Sequence, residues 1–586
     1  MLASRFLIRV MRPPPSSLPS HALVSLAPAW LLAALAWSVT QPPSTETHGA
    51  SADESGGARA PVQTQPLGPG PQWRGPIRPH AANEVFATGN GCSMCHAASD
   101  SASAMRTRMG DDASPHGLWQ ATLMANSARD PFWRASVARE VAARPEEAAA
   151  TEADCLRCHA PMAHHTARLG GLPPPRMAQA LSDPLALDGV SCTVCHKIES
   201  EGLGQEASFG GNAMIARTRA IYGPYKDPAE GPMQMHSGYE PQQGMHIRSS
   251  ALCATCHTST AQHLGQHAGF REQTPYLEWR NSDFSTETPE AATPASCQDC
   301  HMAEVGATRI ARNPMGRDFL IEPRELRAHA FVGGNAFMLE MLAKHREELG
   351  VSAPEAALKR MAQATRSQLA ERTAELSVLH LRREDSNLAF DVEVRNLSGH
   401  KLPTGYPARR VWLEVQVRVE NQLVFHGGKS DAEGRILGLG NELEQPHREL
   451  VIEPTQVPIY EFVADDSDGK ATTELGAMRS KRKDTRLLPR GWKPDGPHAA
   501  DTAPVGIGAD PDFRAGSDTV SYRIPLPADP RGSIRVLAYL RYQAIPPAWV
   551  DPLRKLKAFD ATQFVGYYDA AEGTIETITI GQAFLD

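Results

Sequence analysis

The chain has 586 residues, enough for two or three domains with separate cores. A net charge of −8 and a pI near 6.3 leave no basic footprint, which argues against nucleic acid as a partner. Ten cysteines in so long a chain suit disulfides, zinc or covalent cofactor attachment, and their spacing has to decide.

Residues 1–40 carry Arg5, Arg9 and Arg12, then an apolar run from about Ala22 to Val39, with Ala34-Leu35-Ala36 as an A-x-A cleavage site. This predicts a signal peptide, or a membrane anchor if the segment stays uncleaved. Residues 41–75, rich in Pro, Gly, Ser and Thr, read as a flexible linker.

The next region, 76–350, holds every cysteine. They fall as Cys92/Cys95, Cys155/Cys158, Cys192/Cys195, Cys253/Cys256 and Cys297/Cys300, each pair followed at once by His96, His159, His196, His257 or His301. C-x-x-C-H is the attachment motif of a c-type haem. Two thiols add to the porphyrin vinyl groups and the next residue offers its imidazole to the iron. Zinc ribbons use cysteine pairs two at a time, so five pairs would strand one, and neither zinc nor a disulfide needs that histidine. The cofactors expected are therefore five covalently attached haem c groups. Covalent haem and the leader together place the mature chain in the periplasm or on the outer face of a bacterium.

Each iron has a sixth position, and its occupant separates an electron carrier from an enzyme. Seventeen further histidines supply candidates. His116 opens a predicted helix in "SPHGLWQATL"; His236 and His246 precede the fourth motif; His329 starts an apolar helix after the last. His164, His165, His263 and His267 lie close to motifs and read as loop or surface residues. Met162 and Met302 read as packing. Arg129, Arg409 and Arg410 are candidates for haem propionates, with surface ion pairs as the alternative. Tyr276, Glu278 and Trp279 either line a route between haems, hold a propionate or simply pack.

Residues 351–376 predict a connecting helix, "SAPEAALKRMAQATRSQLAERTAEL". The period then changes to two. "LAFDVEV", "VWLEVQVRV", "VPIYEFV", "TVSYRIPL", "SIRVLAYLRY" and "TIETITI" predict strands, with seven or eight in all over 377–586. The expected architecture is multidomain: a mainly α-helical and irregular multihaem cytochrome domain followed by an antiparallel β-sandwich.

"NSARDPFWRASVARE", "DGVSCTVCHKI", "SSALCATCHTS", "QTPYLEW" and "SCQDCHMAEV" resemble the multihaem cytochrome family of the tetrahaem electron acceptor of hydroxylamine oxidoreductase. "HAFVGGNAFML", "GHKLPTGYPARRVW", "TQVPIYEF" and "TRLLPRGW" resemble periplasmic multihaem proteins with a C-terminal β domain. The resemblance implies stacked haems, mostly with two histidine ligands, exchanging electrons with periplasmic or membrane redox proteins. That family is part of the wider superfamily of cytochrome c nitrite reductases and hydroxylamine oxidoreductases. The nitrite reductases often have lysine in the catalytic motif, whereas all five motifs here end in histidine.

Two rivals to an electron carrier stay open. One is a reductase or oxidase of a small nitrogen or sulfur compound at a five-coordinate haem; the other is a docking cytochrome assembled through its β domain. His400, in "NLSGHKLPTGYPARR", stands either as a turn residue or as a distal ligand reaching back to a haem, with His447 a second candidate from the same region. Region 76–350 has few long apolar stretches, so porphyrin must replace side chains as its packing material. Haem-free protein is therefore expected to be largely unfolded there, and a cooperative melt of that region would contradict this.

Overall fold

The computed structural model describes residues 81–260, 270–289, 291–527 and 532–586. All of these lie in one compact unit, Leu67–Asp586. The leader, the linker, His263 and His267 lie outside the described residues. Among those described, no helix is long and apolar enough to cross a membrane.

The first half is built from short helices, and each C-x-x-C-H motif closes one. They are Gly89–His96, Ala148–His159, Cys192–Cys195 with His196 as its C-cap, Ser250–His257 and Cys297–His301. Helical spacing puts both sulfurs and the following imidazole on one face. The starts are set by capping chemistry. Ser249 accepts from the Ala251 N–H, and Ser296 and Asp299 form a reciprocal capping box. Proline opens the helices Pro131–Ala143, Pro161–Leu169 and Pro275–Arg280, where its missing N–H costs nothing. Apolar side chains here form several small clusters rather than one core, for example Phe209, Ala251, Ala254, Tyr276, Leu277 and Trp279.

One large core lies further along the chain. It joins the helices Ala336–Lys344 and Glu355–Arg372 to two β-sheets. The connecting helix is shorter than the sequence predicts, because residues from Ala374 onward already belong to a strand, Ala374–Glu384. The larger sheet runs Ala471–Thr472, Ile459–Asp465, Arg410–Val419, Ile534–Gln543, Ile575–Leu585, with Gln422–Gly427 and Ser480–Asp484 paired at its side. The smaller runs Leu450–Val451, Ser517–Pro525, Asn387–Asn396, Ala374–Glu384. All six quoted segments are strands. The pairing is antiparallel except where Leu450 and Val451 run parallel to Ser521 and Tyr522.

Burial alternates along Ser517–Pro525 and Ile534–Gln543, as a half-buried pleat demands. The inner faces meet: Phe390 stacks on Tyr522 at 4.8 Å, and Phe425 of the larger sheet sets its edge on the same ring at 6.4 Å. Two helices absent from the sequence reading, Pro547–Arg554 and Phe559–Asp569, pack back onto the first half. Phe564 meets Phe132 at 5.1 Å and Arg134 pairs with Asp560 at 3.0 Å.

Leu540 is fully buried in the core, so shortening it would leave a cavity. Leu540→Ala is expected to cost about 2–5 kcal/mol by urea denaturation, with the haem spectrum of the folded protein unchanged.

Candidate functional site

The five motifs converge on one continuous, mainly apolar cavity of about 1740 Å³. All ten cysteines and the five motif histidines line it. No cysteine is in a disulfide. Among the described residues, the metal-type grouping of three or more donors is His447, Asp510 and Asp518, which contains no cysteine. The thiols are thus arranged around apolar space and not around a common centre. That arrangement fits covalent porphyrin attachment and not zinc.

Neighbouring motifs approach through their thiols: Cys92 lies beside Cys192, Cys158 beside Cys256, and Cys253 beside Cys297. Cys195 acts electrostatically on Cys253 and Cys256. In space the first motif therefore adjoins the third, the third the fourth, and the fourth both the second and the fifth. Sequence order and spatial order differ.

Most of the motif imidazoles are held by one nitrogen. Nδ1 lies 3.0 Å from the Ile310 carbonyl in His96, 3.3 Å from Ser127 in His159, 2.5 Å from Tyr222 in His196 and 2.6 Å from Val332 in His301. A carbonyl can only accept, so Nδ1 carries the proton and Nε2 keeps its lone pair for iron. Burial lowers the pKa of all five, His159 and His257 to about 4, which keeps the rings in the neutral, ligating form. Trp133 stacks on His159 at 4.5 Å and 4°. Among the described residues, His257 has no such carbonyl partner.

Two further histidines repeat the pattern. His329 has Nδ1 3.0 Å from the Arg327 carbonyl, and its ring faces His196 at 6.4 Å and 16°. His400 has Nδ1 2.9 Å from the Lys401 carbonyl and faces His301 at 6.2 Å and 11°. Both are half-buried, and desolvation lowers the pKa of each, that of His329 to about 4. The other sequence candidates are placed differently. His116 is buried on the helix Pro115–Trp119 and lines the cavity; His236 lines it from the exposed helix Glu230–Ser237. His246 stands apart from the cavity wall, with Nε2 engaged 2.8 Å from the Ile198 carbonyl. His164 and His165 are buried against each other at 5.4 Å, also off the cavity, instead of lying on the surface. His447 is turned to Asp510 at 2.7 Å.

What brings His400 here is a buried polar junction that the sequence did not reveal. Glu278, on Pro275–Arg280, is fully buried and accepts from the Lys401 N–H at 3.0 Å, Thr404 Oγ1 at 2.5 Å, Thr274 Oγ1 at 2.9 Å and Arg486 Nη1 at 3.0 Å. Lys401 Nζ donates to Asp484 at 2.6 Å, and Arg486 pairs with the same aspartate at 2.7 Å. Burial pushes the Asp484 carboxyl up, but Arg486 and Lys401 outweigh it and hold it well below the usual carboxylate range. Burial pulls the Lys401 ammonium down to about 8, so it stays mostly charged at neutral pH.

The flanking residues of Glu278 face the other way. Tyr276 and Trp279 line the cavity, anchored to Glu287 and to the Ala295 carbonyl. Arg409 also lines it, donating to the Thr404 carbonyl. Arg129 and Arg410 do not. Arg129 donates to the Gly350 carbonyl, and Arg410 is committed to Glu442 and Gln543.

Residues 91–197 match the family model described as "Cytochrome c554 and c-prime". No curated protein matches the chain. A crystal structure of a penta-heme cytochrome c552 from Thermochromatium tepidum is similar at 16 % identity and a TM-score of 0.42, covering 74 % of this chain and 83 % of its own. The family match spans the first three motifs and supports a multihaem c-type cytochrome with covalently bound haem and an electron-transfer function.

Breaking the buried pair with Lys401→Met is expected to cost roughly 3 kcal/mol, the low end for such pairs because Arg486 still serves Asp484. Asp484 titrates below its unfolded value of about 3.9, so its contribution is complete above that pH and is lost as pH falls through the folded value. The variant raises the folded value, and its acid unfolding midpoint should move to higher pH.

Proposed function

We propose that the chain is a pentahaem c-type cytochrome that relays electrons between redox partners outside the cytoplasm, with His329 and His400 as distal ligands at the third and fifth motifs. The observation that carries this is the pair of facing imidazoles, His196/His329 at 6.4 Å and His301/His400 at 6.2 Å, each nearly parallel. Two metal–imidazole bonds of about 2 Å each, plus about 1.1 Å from each ring centre to its nitrogen, give roughly 6 Å. Two rings in direct stacking contact would sit much closer. Nδ1 is engaged by a carbonyl in all four rings, which leaves Nε2 of each for the gap between them.

When bound, each haem supplies a one-electron Fe(III)/Fe(II) couple. The chain's own residues attach it, fix its axial imidazoles and exclude water, and they bring the motifs into contact so that no haem stands alone. The cysteine contacts that join motifs one, three, four, two and five support a continuous relay. His116 and His236, on the cavity wall, are the described candidates for other distal positions. On this reading the two sheets form a β-sandwich whose role includes donating a ligand, since His400 follows the strand Asn387–Asn396. The leader expected from the sequence, together with covalent haem, supports a periplasmic location, where the partners would be soluble or membrane redox proteins.

In the haem-loaded protein, His329→Ala and His400→Ala should each turn one haem from low to high spin, and the double variant two. Mass spectrometry should find five haems in every case. Unchanged spectra would remove the axial assignment. Carbon monoxide binding to one haem of the unaltered protein would favour a catalytic site instead.

A further inference from the structure

We propose that Glu278 is the positioning residue for His400: its carboxylate fixes the Lys401 backbone, which in turn orients the imidazole. The proposal rests on the reading of His400 as the distal ligand at the fifth motif and adds the residue that aims it.

The geometry is a short relay. Oε2 of Glu278 accepts the Lys401 N–H at 3.0 Å, and the Lys401 carbonyl lies 2.9 Å from His400 Nδ1. One residue is thus gripped by the carboxylate on one side and grips the ring on the other. The His400 carbonyl is held too, by Asn396 Nδ2 at 2.8 Å. Gly399 lets the loop lie flat on the haem-side wall, because a Cβ there would come within 3.2 Å of Phe284 and 3.3 Å of Trp279. Both of these rings line the cavity.

The chemistry requires a carboxylate. Thr274 and Arg486 approach Oε1 while Lys401 and Thr404 approach Oε2, and three of the four, Arg486 and the Lys401 and Thr404 contacts, come from the C-terminal region. All four are donors to Glu278, and only an ionised carboxylate accepts at both oxygens. A glutamine of the same shape must turn its NH₂ towards one pair of donors. If it faces Lys401 and Thr404, the grip on the His400 loop is lost; if it faces Arg486, the cation is left against a donor. Lys401 Nζ has a separate partner in Asp484, so the side chain of Lys401 secures the fold while its backbone orients the ligand.

The test uses the full-length, haem-loaded protein and reads the high-spin ferric fraction by electron paramagnetic resonance and visible absorption. His400→Ala should produce one haem's worth of high-spin signal. Glu278→Gln should produce a large part of the same signal, and added imidazole should return both to low spin. Lys401→Met should remain low-spin although less stable, which a purely structural role for the junction would not predict. A wild-type spectrum for Glu278→Gln beside a high-spin His400→Ala overturns the positioning role and leaves the ligand reading standing. Wild-type spectra for both overturn the ligand reading and the proposal with it. Should Glu278→Gln fail to mature with its haems, Thr404→Val removes one donor from the same oxygen. A smaller high-spin fraction then supports the proposal, and none overturns it.

Discussion

A single buried carboxylate, Glu278, holds together the two halves of this protein where their chemistry meets. It receives four hydrogen bonds with no water exposure, and its charge and that of Asp484 are balanced together by Arg486 and Lys401. Burial raises the cost of its charge, but Arg486 and Lys401 more than offset that and keep it ionised below the ordinary range. Taking charges out of water is expensive, and the expense is recovered only where the buried polar atoms find partners. Here each charged side-chain atom of Glu278, Lys401, Asp484 and Arg486 has at least one. The helix that carries Glu278 also carries Tyr276 and Trp279 into the cavity, so the junction and the cavity wall are two faces of one turn and a half of helix.

The second constraint is the shortage of side-chain core in the first half. Its apolar residues form small clusters around a cavity of about 1740 Å³, while the large core belongs to the helices after Ala336 and to the two sheets. A chain built this way needs either an apolar filling or a rigid neighbour. Covalent porphyrin supplies the first. The second comes from the C-terminal region through Glu278, through Phe564 against Phe132, and through the Arg144–Glu474 ion pair.

How much of this was legible in the sequence follows from how local each feature is. The attachment motifs are fully local: five residues on one helical turn, complete in themselves, so spacing alone exposes them. The strands were legible because alternation is also local, and the six quoted segments all pair in the sheets. The helices Pro547–Arg554 and Phe559–Asp569 were not, since each is short and the first holds an internal proline, Pro552. The candidate distal histidines were legible as a set but not as partners. Nothing near His329 names His196, and nothing near His400 names His301, because pairing depends on how far-separated segments fold together. His246 shows the converse. Its position before the fourth motif marked it as a ligand, yet its Nε2 lies on the Ile198 carbonyl instead. The junction was the least legible feature: Glu278 stood out only as a haem-route, propionate or packing residue, and Lys401, Asp484 and Arg486 look in sequence like ordinary surface charges.

A hydrophobic contact at the junction would have joined the halves at lower cost in desolvation. It would not have fixed an angle. Apolar packing tolerates sliding of a fraction of a bond length, whereas a ring that must present one lone pair along one line does not. Two directional donors of the loop 400–404 meet one carboxylate oxygen of Glu278, and the Lys401 carbonyl lies 2.9 Å from the imidazole Nδ1. Arg409, one of several arginines on the cavity wall, is braced on the same loop through the Thr404 carbonyl. The His400 ring and a neighbouring positive charge are therefore both held through one loop that Glu278 grips. The charged residues of the junction are explained by orientation, which burial of apolar area alone does not provide.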